Sequence, residues 1–182
     1  VRHRAVAAEA DVPLSATTYY FKDINDLITD TFALFVERSA EAMSAFWVGA
    51  DQQLQQLQVG LQSGPDTRVQ VLEQLVEVAI AYVQAQLTQH RERLLAEQAF
   101  RLEALLNPGL LGLAAAHRKI LVQGVDKFFQ VLGSPQPEAD AKVLTGMILQ
   151  MEYQGLLDGV DHLNLDEMRS ILRRYLRLVM GL

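Results

Sequence analysis

Residues 10–21 read ADVPLSATTYYF, and their reading decides the fold. The rest of the chain is largely Leu, Ala, Val and Gln on a helical period. Here Pro13, Ser15, Thr17 and Thr18 crowd together and run straight into Tyr19, Tyr20 and Phe21. Two hydroxyls and two phenols in residues 17–20 are too many hydrogen-bonding groups for an ordinary core helix.

The residues on either side explain them. VRHRAVAAEA carries Val6, Ala7 and Ala10 on one helical face and ends near Asp11. The turn centres on Asp11-Val12-Pro13, and Pro13 suits the first turn of a second, short helix that stops near Lys22. Asp23 reads as the N-cap of a third helix, with Asp26 three residues on as a variant capping box. The pattern is a helix–turn–helix. Its second helix is fixed by Val12, Thr17 and Phe21, leaving the other face for a DNA groove. Ser15 and Ala16 are small enough for close approach of the helix N-terminus, whose dipole favours phosphate. Thr18, Tyr19 and Tyr20 can donate to phosphate or touch base edges and thymine methyls. His3 and Arg4 open the helix that crosses the backbone, and Lys22 is placed for a phosphate.

Charge agrees with that division. The chain of 182 residues has a net charge of −6. Residues 1–22 balance to +1, leaving −7 for the remainder. The front is therefore the part whose charge does not oppose a polyanion. Absence of Cys excludes disulfides and thiolate metal sites. No apolar run approaches the ~20 residues of a membrane span, and nothing at the front reads as a secretory signal. A cytoplasmic protein without membrane contact is expected. The first residue, Val1, already falls in a helical pattern, so a longer polypeptide is expected, with residues before it.

Further along, apolar spacing of three and four residues predicts helices throughout and no half-buried strand. The third helix runs through Leu27, Thr31, Phe35 and Phe46 to about Gly49, read as its C-cap. The Gln-rich piece 50–66 is either a short helix on Leu54, Leu57 and Leu61 or a connection, broken by Ser63-Gly64-Pro65-Asp66. Helices follow over 67–88, 90–106, 110–132, 138–160 and 166–181. The fold class is all-α: a helix–turn–helix unit over residues 1–36, then a helical bundle over 37–182.

The segment HRAVAAEADVPLSATTYYFKDINDLI resembles the TetR family of bacterial transcriptional regulators. The likeness lies in the Ala-Ala pair, the Val after the turn, the aromatic pair closing on Phe21, and re-entry through an acidic cap to Leu27. It covers residues 1 to about 35; beyond them the match is in architecture. The family's turn glycine is Asp11 here, which implies a left-handed backbone that Asp tolerates better than most. The Tyr common three places before Phe21 is Thr18. The phosphate-contacting Lys early in the next helix is Ile24, a role Lys22 takes over in part. The family also has a helix before the first one seen here.

The resemblance implies a regulator, and a repressor first, that binds a two-fold symmetric operator as a homodimer through helices 138–160 and 166–181. It implies release by a small effector held among the middle helices. The residues add that the effector is apolar or aromatic. The stripe of helix 90–106 (Leu94, Leu95, Ala99, Leu102, Leu106) is bordered by Gln98 and Arg101. The stripe of helix 110–132 contains His117, and Glu152 lies near Leu149 and Leu156. Mainly apolar pockets carry a few such polar anchors, although each residue alone reads equally as an internally bonded core group. Phe32, Phe35, Phe46, Trp47 and Tyr82 read as core, and Tyr82 is counted with the candidate site. Dimer faces include Val143, Met147, Gln150, Met151 and Gln154, with Ile171, Leu172, Tyr175, Leu178 and Val179 opposite. Gly155 and Gly159 are assigned to close approach of a partner helix.

No catalytic residue, cofactor or metal site is expected. HExxH, a Gly-rich phosphate loop and a nucleophile elbow are all missing, and His3, His90, His117 and His162 lack ligand spacing on one helix. Glu73 and Glu77 read as a solvated face. The competing reading is a dimeric interaction or ligand-binding module whose front unit does not bind DNA.

Overall fold

The computed structural model describes residues 2–62 and 64–182, and among them it contains helices and no strand. Two short helices, α1 (His3–Glu9) and α2 (Leu14–Tyr20), are joined by a tight turn. Asp11 takes φ +52°, the left-handed value expected of the residue standing where a glycine is usual. The Val12 N–H then closes the turn on the Ala7 carbonyl at 3.0 Å. Val12 itself is 41% exposed. It was expected to anchor α2 with its side chain, but it does so through its backbone.

The third helix, α3 (Ile24–Gln62), is a single rod of 39 residues. At ~1.5 Å per residue it is about 58 Å long. Asp23 Oδ1 caps it, accepting from the N–H groups of Asn25 and Asp26 at 2.8 and 3.0 Å, while Asp26 accepts from Lys22 N–H. Gly49 does not end the helix. The Gln, Leu and Ala that follow are good helix formers, and Leu57 and Leu61 pack on the core. The side chain of Leu54, and Ser63 as a whole, lie outside the described residues.

The bundle follows: α4 (Pro65–Gln89), α5 (Arg91–Leu106), α6 (Leu111–Val122), α7 (Val125–Val131), α8 (Pro137–Asp158) and α9 (Leu165–Met180). The helix expected over 110–132 is divided. Gly124 takes φ +88° between α6 and α7. A Cβ there would stand 2.5 Å from Trp47 Nε1, so the α3 indole occupies the space a side chain would need.

Two cores hold the layers. The larger is built on the α4 stripe Leu72, Val76, Ile80, Val83 and Leu87, packed against Phe129, Met151, Leu172 and Leu176. Each such side chain contributes about 1.5–3 kcal/mol on burial. The smaller joins α3 to α5 and α6 through Phe32, Val36, Ala104 and Leu110, with Phe32 stacked on Phe100 at 4.5 Å. Outside the cores, Arg173 grips Glu73 and Arg169 grips Glu77, each at 2.8 Å. These glutamates therefore tie α9 to α4 and are not merely solvated. Gly155 also differs from expectation. Its missing Cβ leaves room for Leu87 of α4, which would lie 2.3 Å away, so the close approach comes from within the chain. Gly159 ends α8 with φ +87°.

Candidate functional site

Two places collect the residues singled out in the sequence. The first is the outer face of α2. Thr17 is buried beneath the helix and its hydroxyl donates to the Leu14 carbonyl at 2.9 Å. This inward anchor turns the neighbouring side chains out. Tyr19 and Tyr20 are 81% and 75% exposed, edge to face with ring centres 5.0 Å apart. Ser15, Thr18, Lys22 and Arg4 are exposed as well, and Ala16 and His3 are half-buried. Thr18 shares its hydroxyl between the Leu14 and Ser15 carbonyls at 3.3 Å each, weak bonds that leave its oxygen open to a new donor. Large aromatic rings left in water beside a cation form a surface suited to phosphates and base edges.

The second place is internal, between α4, α5, α6 and α8. Glu152 of α8 and His117 of α6 are both buried, as expected. Tyr82 of α4 is half-buried and feels the charge of Glu152. Arg101 reaches in from a half-exposed position, its guanidinium 3.9 Å from Glu97 Oε1. Gln98 is not drawn in: it is half-buried and makes no hydrogen bond or ion pair with the cluster among the described residues. One further member has no signal in the leucine pattern, Glu97 of α5, which is buried; Gln86 of α4 is buried as well.

Glu97 was missed because the stripe drawn on its helix was wrong. Leu95, Leu102 and Leu106 face solvent, whereas Leu94, Glu97 and Ala104 face inward. The spacing 94, 97, 104 is a helical face as good as the leucine stripe. The leucine count outweighed it because a carboxylate is not expected inside.

Burial governs the chemistry here. Glu152 is pushed up to about 8, by burial first and then by the charge of Glu97, with Arg93 and Arg101 opposing. Glu97 is raised for the same leading reason, again against Arg101 and Arg93. His117 is brought down to about 4 by burial, and then by the charges of Arg101 and Arg93, so its imidazole is neutral. Tyr82 is raised to about 12 by burial and then Glu152. His117 lies 5.2 Å from the Phe35 ring of α3, and Tyr82 lies 6.1 Å from Phe46 of the same helix. The rod that carries α2 thus borders the internal cluster at two points.

A further groove of about 390 Å³ runs along α8 and α9, lined by Val143, Met147, Gln150, Gln154 and Ile171 among others. Of the remaining residues expected on that face, Leu178 is exposed, whereas Leu172 is fully buried in the core. Tyr175 is turned inward to donate to the Asp140 carbonyl at 2.8 Å. No described helix is long and apolar enough to cross a membrane.

Residues 70–181, more than half the chain, match a family described as tetracyclin repressor-like, C-terminal domain. The matched span contains the whole internal cluster on α4, α5, α6 and α8, together with the α8–α9 groove. A search of curated proteins finds no match.

Proposed function

Because the chain belongs to the tetracyclin repressor-like family, we propose that it is a ligand-responsive DNA-binding regulator, a repressor that a small effector releases from a two-fold symmetric operator. One observation carries the reading. A single uninterrupted helix, α3, bears the exposed face of α2 at its start and borders the buried cluster of the bundle with Phe35 and Phe46. Residues 1–36 are the reading unit and 37–182 the effector and dimer unit, so their boundary falls within this helix.

The mechanism is one of coupled equilibria. A ligand among α4, α5, α6 and α8 must displace the groups that touch Phe35 and Phe46. About eleven residues separate Phe35 from the start of α3, a lever of about 17 Å. A small tilt at the cluster becomes a shift of α2 relative to its counterpart in a second copy. The α8–α9 groove, with Val143, Met147 and Ile171 on its walls, supports pairing of two copies through these helices. The effector changes operator affinity only by its differential affinity for the two arrangements, and operator weakens effector binding by the same factor.

The test uses the natural full-length polypeptide in a selection from random DNA. A two-fold symmetric site is expected. Arg4→Ala and Lys22→Ala should each weaken binding to all sequences and reduce the salt slope by about 1. Tyr19→Ala should change the preferred base. Unchanged affinity, salt slope and preference in all three would end the proposal.

A further inference from the structure

The interior between α4, α5, α6 and α8 holds more hydrogen-bond acceptors than it satisfies. Glu97 and Gln86 are only 4% and 8% exposed, and one oxygen of each, Glu97 Oε1 and Gln86 Oε1, is buried without a hydrogen-bond partner. Glu152 is 4% exposed and near enough for its carboxylate and that of Glu97 to repel. A buried acceptor left bare is unfavourable, and more so when it is charged. The nearest cation does not relieve it. Arg101 stops 3.9 Å from Glu97 Oε1, beyond hydrogen-bond reach, with its side chain half in solvent. Arg93 acts on the two carboxylates only through its charge. His117, from α6, is neutral and contributes no countercharge.

We propose that Glu97 and Glu152 form the recognition site for the charged head of an organic cation, an amine, amidine or quaternary ammonium on an apolar or aromatic body. As an effector site it rests on the regulator reading above; as a binding site it does not. A bare buried carboxylate oxygen beside a second buried carboxyl asks for a group that brings positive charge and donors. A metal ion fits poorly, since no three metal-ligating side chains come together among the described residues. An organic cation also suits Tyr82, which is near enough to Glu152 to feel its charge and whose ring lies 6.1 Å from that of Phe46. Aromatic faces attract a desolvated cation. Arg101 is then the resident competitor, holding a partial countercharge at the edge of the site until the ligand arrives.

The charges also set a pH signature. Around Glu152 stand Tyr82 from α4 and Arg93, Glu97 and Arg101 from α5, and His117 of α6 feels the same two arginines. With the site empty, the Glu152 carboxyl keeps its proton at neutral pH. A bound cation favours the carboxylate, so binding expels that proton. Affinity for a permanent cation therefore rises with pH up to about 8, by at most tenfold per pH unit.

Calorimetry on the full chain with three benzyl probes tests this. They are benzyltrimethylammonium, its uncharged carbon isostere neopentylbenzene, and the anion phenylacetate. The ammonium should bind at least tenfold more tightly than the isostere and release a proton at pH 7. Glu97→Gln and Glu152→Gln should each cut that preference at least several-fold. Arg101→Gln should strengthen ammonium binding several-fold. Because Arg101 is half-exposed, this variant keeps its fold and decides the matter if the glutamate variants do not fold. Equal binding of ammonium and isostere, tighter binding of the anion, weaker ammonium binding in Arg101→Gln, or no binding of the ammonium at millimolar concentration would each overturn the proposal. Operator affinity is measured alongside. A Glu97-dependent ammonium that leaves operator affinity untouched upholds the site and removes only its role as effector site. Release of operator by the isostere alone upholds the regulator and overturns the cation site.

Discussion

Replacing Glu152 by Gln removes a buried carboxyl that titrates near neutral pH, and the effect on stability can be worked out. In the folded chain the group is held at about 8, chiefly by burial and next by Glu97, against an ordinary value of 4.5. Between those values the folded state keeps a proton that the unfolded state releases, so stability falls as pH rises. His117 works in the opposite sense. Its folded value of about 4 lies below the ordinary 6.5, so the unfolded state binds the extra proton, and stability rises with pH from 4 to 6.5. These two slopes oppose each other from about pH 4.5 to 6.5, and of the pair only that of Glu152 remains from 6.5 to 8. At about 1.4 kcal/mol per pH unit, the wild-type chain loses about 2 kcal/mol across that interval. Glu97 is raised as well and adds in the same direction. Urea unfolding at pH 4.5, 6.5 and 8 measures the curve. Glu152→Gln should match the wild type near pH 4.5, where both side chains are neutral, and lose less than half as much between 6.5 and 8. Equal losses in the two proteins over that interval would refute the reasoning.

Other expectations are simpler. Gly155→Ala puts a methyl 2.3 Å from Leu87 Cδ1 and should destabilise by about 1–3 kcal/mol in urea unfolding. Gly49→Ala, with nothing within 4 Å, should stabilise by about 0.5–1 kcal/mol in the same assay. Phe32→Ala removes a ring that is 1% exposed and stacked on Phe100, and should lower unfolding free energy by about 3–5 kcal/mol. Arg173→Ala breaks a well-formed but partly exposed pair with Glu73 and should lower stability only slightly, less at high salt.

The all-helical architecture and the front motif were legible because both rest on local signals. Pro13, the Asp23 cap and the buried Thr17 among exposed tyrosines follow from spacing and turn chemistry alone. Asp11 could be assigned a left-handed backbone before any coordinates, since few residues tolerate one there. What escaped depends on distant neighbours. Gly124 sat in a good apolar stripe and gave no sign that Trp47, 77 positions earlier, would lie against it and split the helix. Gly155 signalled close approach, but not that Leu87 of the same chain would make it. His117 and Glu152 were found as polar residues on apolar stripes. Glu97 and Gln86 were not, because leucines on the outer face of α5 imitate a core stripe and a glutamine on α4 is ordinary.

Trp47 is the only tryptophan in the chain. Its indole rests on Gly124 at the joint between α6 and α7, with Nε1 buried and without a hydrogen-bond acceptor. Indole emission shifts with the polarity and hydrogen bonding of its surroundings. Any rotation of α3 away from that joint would admit water or an acceptor to the ring nitrogen and move the emission to longer wavelength. The fold thus carries a native optical gauge on the helix that joins its two ends, readable in the unlabelled protein.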